Sequence, residues 1–381
     1  MLKFLSDFVK ILLITFVLFI ILNSIIIITW PIYINNKMKD YYPYSKEIIK
    51  NLQMSKEDAL QLYTETWIDR SFSYSQFIEH VESPTSGKFV NISKEFGRKI
   101  ENPPSCKKRF FFYGGSTTWG YNVADNQTIP AYFLKTLINN NYQDYCVYNF
   151  GGGSYFSTQE NIRFQKHLLT DKINQNDFVF FIDGHNESGF RKTRITDFLT
   201  EAFKPSNQKF WEMYEFTFVT FIKSLPIVQL SNRLLKRLKL DLDKNVSQAG
   251  SIKLTPDDLL AVYQTNINIR SGICNIEKIN CYSFLQPFAS VHGVGFTTRD
   301  GVKLNHGDAL GGAPEIGNKG DINNELTQKY NILKNAKGKI DITSALDSQK
   351  ILSLVDAAHY SPEANKLIAE RIFLEIKENL N

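Results

Sequence analysis

Three short apolar runs, residues 110–113, 146–150 and 178–182, alternate with two helical patterns, residues 129–138 and 157–169. The runs show little polar alternation, so strands built from them must be covered on both faces. A strand–helix–strand order achieves this only when the strands are parallel and the helices lie on either side of the sheet. The pattern predicts an α/β fold with a parallel sheet. The sheet is expected to resume at residues 281–286 and 340–343, and a last helix to pack through Leu367, Ile368 and Ile372. With 381 residues there is room for one large domain and its appendages. Its net charge of +5 is scattered without a Lys/Arg stripe, which argues against a nucleic-acid partner.

The N-terminus imposes a second constraint. Residues 11–34 carry no charged side chain and are rich in Ile, Leu, Phe and Val, which exceeds the roughly 20 apolar residues that cross a bilayer. A transmembrane helix is expected there, after a tail of residues 1–10. Trp30 and Tyr33 would lie at the headgroup layer and Pro31 at the exit. The first alanine of the chain is Ala59, so no small-residue cleavage site follows the apolar run. Lys3 and Lys10 precede it and Lys37, Lys39, Lys46 and Lys50 follow, a count that mildly favours a cytoplasmic C-terminal body. Large domains translocate regardless of such counts. Cys106, Cys146, Cys274 and Cys281 could form two disulfides or remain four buried thiols. The disulfide alternative places the body on the periplasmic or extracellular side of a cell membrane. Residues 35–105 read as a stalk with an added layer, with a helix near residues 55–63 and a strand near 88–92. Residues 106–381 form the main domain, interrupted by a helical insertion at about 190–272. The latter reads as a cap or membrane-touching surface, or as ordinary packing.

Four segments along this framework carry chemistry. YGGSTTWG at residues 113–120 puts Ser116 where an apolar strand meets a turn. NFGGGS follows at residues 149–154, then DGHNE at 183–187 and DAAH at 356–359. A serine nucleophile needs a base within reach, and the base needs a partner to fix its tautomer. His359 and Asp356, three residues apart on one turn, can supply both, and Ser361, Pro362 and Glu363 read as the helix start that anchors this turn. His80, His167, His185, His292 and His306 lack that setting, although His292 and His306 sit in the glycine-rich stretch at residues 289–320. Trp119 could wall a pocket or plug the core, and Tyr155 reads as core. No HExxH, P-loop or GxGxxG pattern occurs, so no metal or other cofactor is expected.

In their order these blocks resemble the SGNH (GDSL-type) hydrolases, in a GGST variant of membrane-anchored envelope proteins. The likeness runs over residues 109–372 and leaves about 190–272 unmatched. It implies a three-layer flavodoxin-like fold and a serine esterase or O-acyltransferase. Ser116 would be the nucleophile, His359 the base and Asp356 its orienting partner. The oxyanion donors would be the Ser116 N–H, a backbone N–H of Gly153 or Ser154, and the Asn186 side chain. The chain departs from the family with Gly115 and Glu187 where aspartates are usual, and Ser154 in place of glycine. The expected substrate is an ester, such as an O-acetyl group on an envelope glycan, or a membrane lipid. A non-catalytic polysaccharide-binding or scaffold protein with the same fold is the alternative. Nothing in the sequence reports on oligomeric state.

Overall fold

The computed structural model describes residues 2–39, 49–50, 52–170, 172–188, 225, 255–287, 328, 330–347, 351, 353–356 and 358–380. Helix α1 (Leu2–Lys39) belongs to one compact unit, and the elements below to a second, Pro43–Phe190 with Leu254–Asn381. Along α1 most of the described apolar side chains, Ile11, Ile14, Leu18 and Ile28 among them, are exposed. Its polar side chains bond within the helix, Thr15 to the Ile11 carbonyl, Asn23 to that of Phe19 and Thr29 to that of Ile25. Side chains are described without a break only over residues 13–29, and among the described residues no helix is long and apolar enough to cross a membrane. The expected span is therefore present as helix alone.

The second unit is built on a sheet of eight strands. Its core is a run of five parallel strands, β6 (Lys108–Gly114), β7 (Tyr145–Asn149), β8 (Phe178–Asp183), β9 (Asn280–Leu285) and β10 (Ile340–Asp341), and a short sixth pairs parallel beside β7. The five run in the spatial order β10-β9-β8-β6-β7. From β6 the chain adds β7 on one side and then β8, β9 and β10 on the other, so the strand order reverses between β6 and β8, the flavodoxin-like switch point at which open α/β sheets bind ligands. Alternation along the strands explains the layers. Phe110 and Phe112 of β6, with Phe178, Phe180 and Ile182 of β8, pack against α4 (Ile129–Asn139) and α8 (Pro362–Ile376). Phe111, Tyr113, Val179 and Phe181 face the other way, with Phe164 of α5 (Ser157–Leu169) and Cys274 of α7 (Pro256–Glu277). Both faces are covered, which is why the strands read as unbroken apolar runs.

The segment ahead of β6 extends the sheet. Helix α2 (Lys56–Trp67), capped by Ser55, leads into a hairpin of β1 (Phe72–Ser75) and β2 (Glu79–Glu82). Strands β3 (Thr85–Ser86), β4 (Asn91–Ser93) and β5 (Gly97–Arg98) then pair on beyond β7. The strand expected near residues 88–92 falls at β4. Arg98 is buried, and its guanidinium donates to the carbonyls of Trp119, Gly120 and Val123 and to Asp125. The added layer therefore grips the turn that follows Ser116. Cys106–Cys146 and Cys274–Cys281 are disulfide-bonded, with Cα separations of 5.4 and 6.1 Å that suit such bridges. Most of the expected insertion at 190–272 and the loop at 289–320 lie outside the described residues, as do His292 and His306. The final part of the insertion range belongs to α7.

Candidate active site

Ser116 opens α3 (Ser116–Trp119), a single turn entered through Gly115 at the end of β6 and closed by Gly120, whose φ of 93° suits glycine. The Gly115 position is crowded: a Cβ there would lie 2.4 Å from Asn186 Nδ2 and 3.1 Å from the Tyr155 carbonyl oxygen. A side chain there would press on the Asn186 amide.

Asp356 and His359 lie on a turn closed by the Val355 N–H donating to the His359 carbonyl at 2.9 Å, inside the bridge of Leu354 with Tyr360. Ser361 caps α8 by accepting from the Ala364 N–H, and Pro362 opens the helix. His359 is 8% exposed. Its Nε2 is 2.9 Å from Ser116 Oγ and its Nδ1 is 2.6 Å from Asp356 Oδ2. A carboxylate only accepts, so Nδ1 carries the proton and Nε2 presents a lone pair to the serine hydroxyl. Asp356 Oδ1 accepts from the backbone N–H groups of Ala358 and His359, both at 2.8 Å. Burial opposes ionisation of Asp356, but His359 and these hydrogen bonds outweigh it and hold the carboxyl below its ordinary range.

The sequence reading missed the groups behind Asp356. Asn122 Nδ2 donates to Asp356 Oδ2 at 2.6 Å, and Asn122 Oδ1 accepts from Trp67 Nε1 at 2.6 Å. The Tyr121 ring stacks on His359 with centroids 4.8 Å apart. Asn122 adopts a φ of 63°, a turn conformation that asparagine tolerates, and this was the one local signal available for it. Trp67 arrives from α2 and had none. Trp119, 1% exposed, lies under the Arg98 guanidinium at 4.2 Å from its ring centroid and belongs to the core cluster that holds Val90, Ile92 and Tyr121.

Asn186 stands on the short helix α6 (His185–Ser188) after β8, its Nδ2 donating to the Tyr155 carbonyl at 2.6 Å. Tyr155 is buried, as expected of a core residue. In the second block the two expected donors part company. The Gly153 N–H, one of the two expected oxyanion donors, donates to Glu82 Oε1 at 3.1 Å. Ser154, exposed and at a φ of 61°, occupies a left-handed position that suits the glycine usual in the family. His80, passed over in the sequence for want of a catalytic setting, bonds the Gly153 carbonyl through Nε2 at 2.9 Å.

Behind Asn186, Glu187 accepts from the Ser157 N–H and from Ser157 Oγ, tying α6 to α5. Burial, with nearby Asp183 adding to it, pushes the Glu187 carboxyl up to about 8. Asp183 is ion-paired with Arg270, both fully buried. Burial and the neighbouring His359 push His185 down to about 4, and burial pushes His167, which meets the Tyr113 hydroxyl at 2.6 Å, down to about 2. Among the described residues no group of three or more His, Cys, Asp or Glu side chains could hold a metal ion.

No family model matches the chain and no curated protein is similar to it. Solved structures similar to it are SGNH/GDSL-type hydrolases. The acetylxylan esterase Axe2 from Geobacillus stearothermophilus is 11% identical with a TM-score of 0.37, over 71% of this chain and 95% of that one. A putative lipolytic protein of the G-D-S-L family from Desulfitobacterium hafniense is 14% identical with a TM-score of 0.34, over 70% and 98%. The lipase/acylhydrolase from Enterococcus faecalis is 13% identical with a TM-score of 0.34, over 72% and 97%.

Proposed function

We propose that this protein is a serine esterase or O-acyltransferase, with Ser116 as nucleophile, His359 as general base and then acid, and Asp356 orienting it. The observation that carries this reading is the continuous line of hydrogen bonds from Ser116 Oγ through both nitrogens of His359 to Asp356. Ser116 Oγ attacks the ester carbonyl carbon as its proton passes to His359 Nε2. The bond to the leaving alkoxide then breaks, and the alkoxide takes that proton. Water or a sugar hydroxyl attacks the acyl-serine by the reverse steps, which returns Ser116 to its free form. The Ser116 N–H, the Ser154 N–H and Asn186 Nδ2 are the oxyanion donors in this scheme, each worth about 3 to 4 kcal/mol in the transition state.

The acyl group is a short one on an envelope glycan. α1 anchors the chain in a membrane, a role favoured by its exposed Ile, Leu and Phe side chains and by polar groups bonded within the helix. The two disulfides favour the periplasmic or extracellular side. The test is labelling of the full chain in detergent with a fluorophosphonate and turnover of p-nitrophenyl acetate. Both are expected in the wild type and absent in Ser116→Ala, whereas a folded wild-type protein that does neither refutes the reading. Resistance to alkaline extraction from membranes, lost on deletion of residues 2–39, tests the anchor.

A further inference from the structure

We infer that His80, on a hairpin outside the parallel sheet, is a positioning residue for the oxyanion hole, because it holds the peptide whose N–H is the second-block donor. This rests on the esterase reading above. The Gly153 carbonyl and the Ser154 N–H belong to one planar peptide unit, so whatever fixes the carbonyl fixes the direction of the N–H. His80 Nε2 lies 2.9 Å from that carbonyl oxygen. A carbonyl can only accept, so Nε2 carries a proton and donates it.

The grip is two-sided. His80 and Glu82 are two residues apart on β2 and therefore point to the same face of the hairpin. One takes the Gly153 carbonyl and the other, at 3.1 Å, its N–H. The Tyr155 hydroxyl in turn donates to the His80 carbonyl, and the His80 ring meets Phe72 and Tyr155 edge-on at centroid distances of 5.1 and 5.3 Å. A side chain at Gly153 would have to push the Tyr121 hydroxyl aside, since a Cβ would sit 2.2 Å from it. The backbone itself is what β2 holds.

Two consequences follow. Ser154 at a φ of 61° is in a conformation that costs a non-glycine residue free energy, and it persists only where its surroundings enforce it. Donation into the carbonyl also polarises the amide, so that the Ser154 N–H becomes a stronger donor towards the developing oxyanion. His80 thus acts through Ser154 without touching substrate.

The experiment compares His80→Gln, whose Nε2 can donate from the place of the histidine Nε2, with His80→Asn, whose amide stops short, and with His80→Phe, which fills the space without donating. The full-length protein in detergent is assayed with p-nitrophenyl acetate and with a trifluoromethyl ketone, whose adduct with Ser116 carries the oxyanion. His80→Phe and His80→Asn are expected to lower kcat about tenfold, less than the loss of a whole donor. KM should stay within about twofold, and His80→Gln should recover most of kcat. Ketone affinity should follow kcat across the series, a correlation that loop destabilisation alone does not produce. If His80→Phe fails to fold, Gln against Asn decides. Equal kcat for Gln and Asn, or ketone affinity unchanged while kcat falls, overturns the inference and leaves the esterase reading intact. A wild type inert to both fluorophosphonate and p-nitrophenyl acetate overturns the reading and the inference together.

Discussion

Replacing Asp356 with asparagine isolates what the carboxylate does. Asp356 accepts four hydrogen bonds, two at Oδ1 from the backbone of Ala358 and His359 and two at Oδ2 from Asn122 and His359 Nδ1. An asparagine must keep its oxygen against the two backbone N–H groups, which have no other partner among the described residues. Its amino group then takes the place of Oδ2 and faces two donors. Asn122 cannot turn over to relieve this, because Trp67 Nε1 only donates and holds Asn122 Oδ1 towards itself. His359 must give up the proton on Nδ1 and carry it on Nε2, where it meets Ser116 as a donor and cannot receive the serine proton. The expected loss in kcat is on the order of 10⁴-fold, the cost of the wrong tautomer. At about 1.4 kcal/mol per decade this is about 5.5 kcal/mol of barrier. The readout is steady-state hydrolysis of p-nitrophenyl acetate with circular dichroism as the fold control. A folded Asp356→Asn protein within tenfold of wild-type kcat would refute the role given to Asp356.

Gly115→Ala should lower kcat at least tenfold with the fold retained, because its Cβ moves the Asn186 amide; crystallography of the variant would show the shift. Replacing both cysteines of Cys106–Cys146, 40 residues apart, should cost about 4 kcal/mol in urea unfolding. Loss of Cys274–Cys281, 7 apart, should cost about 2.5 kcal/mol, and the reverse order would contradict the loop-entropy argument. Glu187 ionises near 4.5 in the unfolded chain but at about 8 when folded, so the folded state binds the extra proton between these values and stability falls as pH rises through them. Glu187→Gln removes that dependence. Its stability relative to wild type should therefore rise across that window, and a constant difference would refute the buried-acid assignment.

Strands β6 to β9 were legible because each is longer than four residues and mostly apolar, whereas β10 has only two residues. β6, β7 and β8 lie within a residue or two of the expected runs, and α5 begins and ends where the pattern did. The short strands β3, β4 and β5 carry two or three residues each, too few for a period to register, so of the layer they add only the strand near residues 88–92, which falls at β4, was foreseen. Ser116, Asp356, His359 and Asn186 stood in recognisable blocks. The residues that steady them did not. Asn122, Trp67, His80 and Glu82 act singly, from chain that is distant in sequence from what they hold, and no local composition marks a donor that is needed 70 residues further on. In sequence Gly153 looked as good a donor as Ser154, and the bond of its N–H to Glu82 is what tells the two apart.

Both margins of the eight-stranded sheet, as far as the described residues go, are strands of only two residues, Thr85–Ser86 on one side and Ile340–Asp341 on the other. A β7 left at the border would have offered a five-residue row of open peptide groups to any passing chain. With β5, β4 and β3 docked outside it, little template is left for neighbouring copies to zip onto. Such blunting matters most for molecules crowded side by side on a surface, where chance encounters are frequent and an adhesive rim would seed fibrils.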